Sequence, residues 1–166
     1  MLVSRRTVLK QVLFVSAGLA VLPSCLHEKK PPAYKVKNIE LSSDEEATLT
    51  SLADVMIPNG EKPGARQVQA DVYAMTLMDD CYTKADQEKF KTGLQAFRKE
   101  WKNGDEAFLK KMEETAPDAS PASAFYHTYK GLLIQGYTGS EYYLTKVFPY
   151  ELVPGRFHGS VLVNKG

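Results

Sequence analysis

Cysteine is scarce in this chain, with two in 166 residues. A disulfide scaffold is thereby excluded, and neither Cys25 nor Cys81 stands at a zinc-ligand spacing from His27, His127 or His158. No stretch keeps up the period-two alternation of strands, and no internal repeat is present. There is no glycine-rich phosphate fingerprint, no Cys-x-x-Cys-His haem attachment and no Glu-x-x-His pair of the kind a di-iron bundle uses. No serine or carboxylate lies at a diagnostic spacing from a histidine, so no triad is nominated. A strong charge of one sign is missing as well. The 21 basic and 20 acidic residues nearly cancel, and setting aside Arg5, Arg6 and Lys10 leaves 18 against 20. Without a basic field there is nothing to hold nucleic-acid phosphates. Long apolar runs are also lacking: Val12–Leu22 has 11 residues, interrupted by Ser16 and Gly18, well short of the ~20 a membrane-spanning helix needs.

What is present begins with an address. A basic start followed by a short apolar run has the layout of an export signal. Ser4-Arg5-Arg6-Thr7-Val8-Leu9-Lys10 resembles the twin-arginine signal, with Val8 where phenylalanine is usual; a Sec signal with two adjacent arginines is the alternative. Leu22-Pro23-Ser24-Cys25 resembles a bacterial lipobox, with a small residue before the cysteine that receives lipid; an ordinary signal-peptide end is the alternative. Lipidation would make Cys25 the mature N-terminus, held by more than one acyl chain at ~0.8 kcal/mol per buried CH₂. Residues 1–24 are therefore expected to be a signal peptide and 25–40 a lipidated tether. Leu26–Asn38 carries two prolines and four lysines and reads as tether rather than core, reaching at most ~45 Å.

The folded part, residues 41–166, has 14 basic and 18 acidic residues and reads as helix after helix. Ser42 and Glu45 fit a capping box ahead of Leu49, Leu52, Ala53 and Met56, with Pro58 and Gly60 ending the helix. A second helix is predicted over 68–79 with Val68, Val72 and Met75 inward. The third has Thr83 and Asp86 as caps, the stripe Phe90, Leu94, Phe97 and Trp101, and a left-handed stop at Asn103-Gly104. A shorter helix over 106–115 buries Phe108, Leu109 and Met112. Ser120-Pro121 opens a helix through Phe125, Tyr129, Leu132 and Leu133 that breaks near Gly136, and Ser140 opens a last short one to about Phe148. The fold class is all-α, a compact bundle of about five to six helices with an irregular aromatic C-terminal segment. Asp79-Asp80 and Glu113-Glu114 read as solvated surface, His127 as a packed or surface residue, and Cys81 as a buried structural thiol, pairing with a partner's cysteine being the alternative.

Between Tyr142 and Phe157 the chain places five tyrosine or phenylalanine rings and two prolines. Such a segment either wraps back over the bundle or docks on another protein, where Tyr, Phe and Arg are favoured. Pro154-Gly155 suits a type II turn. The expected docking residues are Tyr137, Tyr142, Tyr143, Pro154, Gly155, Arg156 and Phe157.

Taken in order, the twin-arginine signal, Leu52-Ala53-Asp54-Val55-Met56-Ile57-Pro58, Pro63-Gly64-Ala65, Gly136-Tyr137-Thr138-Gly139-Ser140-Glu141 and Val153-Pro154-Gly155-Arg156-Phe157-His158-Gly159 resemble the gluconate 2-dehydrogenase subunit 3 family. The resemblance runs from Leu41 to about Val163. It implies a non-catalytic helical subunit paired with a large FAD-containing dehydrogenase of the glucose-methanol-choline type, often beside a cytochrome c carrying haem. It also implies that the small subunit's signal exports the large one to the periplasmic side of the envelope. The family offers no catalytic, cofactor-binding or metal-binding residue to carry over. Many members have a cysteine soon after the Pro-Gly-Arg turn, where Ser160 stands here. Two other functions compete: a free-standing periplasmic lipoprotein binding a small ligand or peptide through its aromatic C-terminal segment, and a small hydrolase or isomerase, for which no nucleophile–base pair is visible.

Overall fold

The computed structural model describes residues 32–148 apart from Asn103. Expectations for Arg5, Arg6, Cys25, Pro154, Gly155, Arg156 and Phe157 fall outside those residues. Within them the chain is helical, with no strand: α1 Ser43–Met56, α2 Ala70–Cys81, α3 Lys84–Glu100, α4 Glu106–Glu114 and α5 Pro121–Thr138, then a π-helical turn Tyr143–Val147.

Local chemistry sets the helix starts. Ser42 Oγ accepts from the Glu45 N–H while the Glu45 carboxylate accepts from the Ser42 N–H at 2.8 Å, completing the capping box. Thr83, Asp105 and Ser120 cap α3, α4 and α5 with side-chain oxygens that accept the N–H groups of Asp86, Phe108 and Ser123, with Pro121 at the first position of α5. The third helix ends earlier than its glycine suggests. Trp101 turns extended at φ −80°, ψ 127°, and the left-handed Gly104, φ 84°, lies in the connection that follows. The Phe90, Leu94, Phe97 and Trp101 stripe is nevertheless buried throughout.

The centre of the bundle is α5, packed chiefly on α3 and then on α2. Its Phe125 ring lies 5.0 Å from Phe90 and 5.3 Å from Phe97, and 5.9 Å from Tyr129 in a stacked pair. Tyr129 reaches through the core to donate its hydroxyl proton to the Leu49 carbonyl at 3.0 Å, joining α5 to α1. Close approach of α3 to α5 depends on Gly93, where a Cβ would sit 2.7 Å from the Cβ of Phe125.

Five further expectations need correction. The second helix starts at Ala70, and its inner face is Ala70, Ala74, Met75 and Met78; Val72 points outward at 38% exposure. Ala70 takes an inward position where the start of α2 comes close to Gly136 of α5. Gly136 does not break α5 but sits buried within it, where a Cβ would lie 2.8 Å from the Tyr73 ring and 2.9 Å from the Ala70 carbonyl. Cys81, at the last turn of α2, is exposed. The largest difference concerns the tether, since residues 32–40 lie on the bundle. Tyr34 and Ile39 are buried at 2% and 5% exposure. Asp79, read as surface, is 4% exposed and accepts the backbone N–H groups of Lys37, Asn38 and Ile39 at 2.7, 2.7 and 2.9 Å. Burial alone would raise the Asp79 pKa; the three donated N–H groups outweigh it and hold the carboxyl below its ordinary value.

Candidate partner-binding surface

One end of the bundle gathers the C-terminus of α1, the 57–69 connection, the start of α2, the end of α5 and the π-helical turn. The connection is tightly folded there. Ala65 N–H donates to the Ile57 carbonyl at 3.0 Å, and Ala70 N–H donates to the Ala65 carbonyl at 2.9 Å. Gly64 lies so close to this backbone that a Cβ would come within 2.8 Å of Ile57 O and Asn59 N. Gln69 takes the left-handed conformation, φ 59°, immediately before α2, a strained arrangement for a residue with a long side chain.

Tyr137, on the last turn of α5, fastens this connection by donating its hydroxyl proton to the Pro63 carbonyl at 3.0 Å. Its burial, then the neighbouring Tyr142 and Tyr143 phenols, raise its pKa, so it remains a donor across the physiological range. The Tyr143 ring stands edge-on to it at 6.1 Å. Ser140 organises the turn between them: its hydroxyl donates to the Tyr137 carbonyl at 2.6 Å and accepts from the Tyr143 N–H at 3.3 Å. Beside this aromatic pair opens a cleft of about 480 Å³ whose walls include Gln67, Gln69, Ser140, Glu141, Tyr142 and Lys146. Beyond Tyr143, Val147 and Phe148 stand exposed at 41% and 67%. Amides, hydroxyls and one charge of each sign border tyrosine rings and two exposed apolar side chains. That composition matches a protein interface with a polar rim.

A second opening, about 350 Å³, lies between α1, α4 and α5, with Met56, Leu109, Tyr126 and Ile134 among its lining. Glu113 and Lys130 form an ion pair on its border, and Tyr126 donates to Glu113 at 3.0 Å. Hydrogen bonds from Lys130 and Tyr126 lower the Glu113 pKa, while burial and Glu113 together push Tyr126 up to about 12. His127 is occupied structurally, its Nε2 lying 2.8 Å from the Thr115 carbonyl oxygen. Among the described residues no group of three or more His, Cys, Asp or Glu could hold a metal ion, and none of their helices is long and apolar enough to cross a membrane.

The structure thus brings three of the expected docking residues, Tyr137, Tyr142 and Tyr143, to one end and half-buries each of them. Sequence reasoning missed the 63–69 connection to which Tyr137 is fastened, and the close packing nearby of Tyr73 and Ala70 against Gly136. A glycine inside an otherwise apolar helix was the available signal for the last of these, since such a glycine often marks a close approach.

Fold and surface together define a small domain, all-helical among the described residues, whose most elaborated feature is an aromatic end bordered by polar groups. The chain belongs to the gluconate 2-dehydrogenase subunit 3 family, whose model matches residues 43–155. That span starts at the first residue of α1 and covers every helix described above. No curated protein matches the chain significantly, and no solved structure does.

Proposed function

We propose that this chain is the non-catalytic small subunit of a periplasmic FAD-dependent dehydrogenase of the glucose-methanol-choline type, acting on a sugar, sugar acid or alcohol. The family match over residues 43–155 carries this reading, because the family is named for a subunit of a dehydrogenase. In this account FAD, and haem where a cytochrome c joins the complex, belong to partner subunits; this chain's sequence has no phosphate-cradling glycine loop of its own. Arg5 and Arg6 address the complex to the twin-arginine route. A flavoprotein that takes up its cofactor in the cytoplasm must cross folded, so one signal serves both chains if they associate before export. Lipid on Cys25 then holds the complex at the membrane on the periplasmic side. Tyr137, Tyr142 and Tyr143 meet the large subunit together with Pro154, Gly155, Arg156 and Phe157.

Survival of the pair during transit sets a lower bound on its affinity. At a complex concentration of about 0.1 μM the dissociation constant must be well below that value, or roughly −11 kcal/mol or better. Standard-size interfaces of ~1,600 Å² span micromolar to picomolar, so this is attainable. Affinity capture of the tagged mature chain from solubilised membranes provides the test. The expected result is a stoichiometric flavoprotein with its FAD absorbance in the eluate. A stable chain eluting alone from cells that also produce the flavoprotein would favour the free-standing ligand-binding lipoprotein instead.

A further inference from the structure

We infer that Pro32–Ile39 is a strap, latched by Asp79, that sets how far the bundle can stand from an anionic lipid surface; the inference rests on the lipid-anchor reading of Cys25. The strap is pinned along its length. Its C-terminal part hangs by three consecutive N–H groups on the Asp79 carboxylate, and the Asn38 side-chain amide adds a bond to the Asp79 carbonyl at 3.0 Å. Its middle inserts Tyr34 into the core, with the hydroxyl donating to Asp71 at 3.3 Å. Its N-terminal end is held by Glu46, which accepts the Ala33 N–H at 2.9 Å.

The strap is not needed to start α1, whose first turn is already closed by Ser42 and Glu45. It also precedes the family match, which begins at residue 43. Ordering a lysine-bearing, proline-led segment has an entropic cost, and its geometric consequence is a shortened leash. Whatever conformation residues 25–32 adopt, the eight steps from Cys25 to Ala33 span at most ~26–29 Å. If the strap were released, the free chain would run to Leu41, and the bound would double to roughly 53–58 Å. The strap leaves the Lys35 and Lys37 residues exposed while fixing their backbone, so two cations ride on its outer side near the point where the leash leaves the domain. A negatively charged bilayer is the partner such a strap would face.

The test uses the full chain, signal included, produced in a bacterial host that processes lipoproteins. Exposed Cys81 is labelled with a donor fluorophore in membrane vesicles containing phosphatidylglycerol and an acceptor-labelled lipid, and mass spectrometry of residue 25 reports the lipid. Two variants lengthen the leash by different means. Asp79→Ala, as the latch, is expected to open the whole strap, which hydrogen exchange at every amide from Ala33 to Ile39 verifies, the release of Ala33 from Glu46 and of Tyr34 from the core included; an insertion of about ten Gly/Ser residues between Pro31 and Pro32 leaves the strap shut. Because the reach doubles in each case, energy transfer is expected to fall to about half or less in both variants. A lipidated chain whose transfer is unchanged by either variant overturns the leash. A fall on insertion but not in strap-open Asp79→Ala shows that Asp79 is no latch and overturns the inference as stated. A mature chain with no lipid on residue 25 refutes the anchor reading, and the inference falls with it.

Discussion

Two glycines on facing helices give the packing account a test in which the same substitution has opposite signs. Alanine in place of glycine in a helix interior gains about 0.5–1 kcal/mol from backbone entropy alone. At Gly131, on the exposed side of α5, a Cβ would meet nothing within 4 Å, so Gly131→Ala should realise that gain. At Gly93 the same Cβ would sit 2.7 Å from Phe125 Cβ and closer still to the Pro121 carbonyl oxygen. Neither obstacle is the far end of a flexible side chain: one is backbone, the other the first carbon of a fully buried aromatic residue. Relief requires α3 and α5 to separate, and overpacking of that kind typically costs ~1–3 kcal/mol. Gly93→Ala is therefore expected to be net destabilising by about 1–2 kcal/mol, while Gly131→Ala stabilises. Thermal unfolding of the full chain, followed by far-UV circular dichroism, reads both. The expected shifts are a Tm lower by roughly 4–10 °C for Gly93→Ala and higher by roughly 2–5 °C for Gly131→Ala. Equal, positive shifts would refute the close α3–α5 contact on which the core description depends.

The strap should weaken in acid. The Asp79 pKa is depressed in the folded state, so its contribution is present above the unfolded carboxyl value and is lost as pH falls through the folded value. Wild type and Asp79→Asn should accordingly differ in Tm at pH 7, begin to converge only as pH falls below about 4, and meet once pH is beneath the folded value; a gap independent of pH would contradict the assigned charge. Tyr137→Phe removes the hydroxyl that holds the Pro63 carbonyl and should cost about 0.5–1.5 kcal/mol in denaturant unfolding; no measurable change would show that the connection is held otherwise. Tyr142→Ala and Tyr143→Ala, half-buried at the rim of the surface, should leave helix content intact but weaken capture of the large subunit by ~1–2 kcal/mol for at least one of them. Loss of fold with retained affinity would make these rings packing rather than interface. Cys25→Ala should release the chain from washed membranes when the large subunit is absent; continued attachment would exclude lipid as the anchor.

Helix identity was legible because its signals are local. Capping residues at 42, 83 and 120 and the apolar stripe Phe90–Trp101 declare themselves within a turn or two. What escaped depends on partners distant in sequence. Nothing near Asp79 announces that its carboxylate will collect three N–H groups from residues about 40 positions earlier, and two adjacent aspartates on a helix otherwise read as surface. Lys-Pro-Pro composition likewise reads as tether, while the burial of Tyr34 and Ile39 depends on partners far along the chain, among them Asp71 and Asp79 of α2. Val72 and Gly136 failed for a shared reason: periodicity scores hydrophobicity, whereas the start of α2 meets α5 through the close approach of Ala70 to Gly136. The aromatic end was half legible. Tyrosine density flagged Tyr137, Tyr142 and Tyr143, but the left-handed Gln69 and the glycine-dependent turn at Gly64 are features of backbone geometry that side-chain patterns do not carry.

The escort role is the centre of the account, and changing Arg5 and Arg6 together to lysine tests it most directly. Fractionation is done on cells whose flavoprotein subunit has been verified by N-terminal sequencing to carry no signal of its own. The account predicts that both chains stay in the cytoplasm, associated, with dehydrogenase activity toward a soluble dye retained there but uncoupled from respiration. Flavoprotein reaching the periplasm in normal amount behind the doubly substituted signal would contradict it.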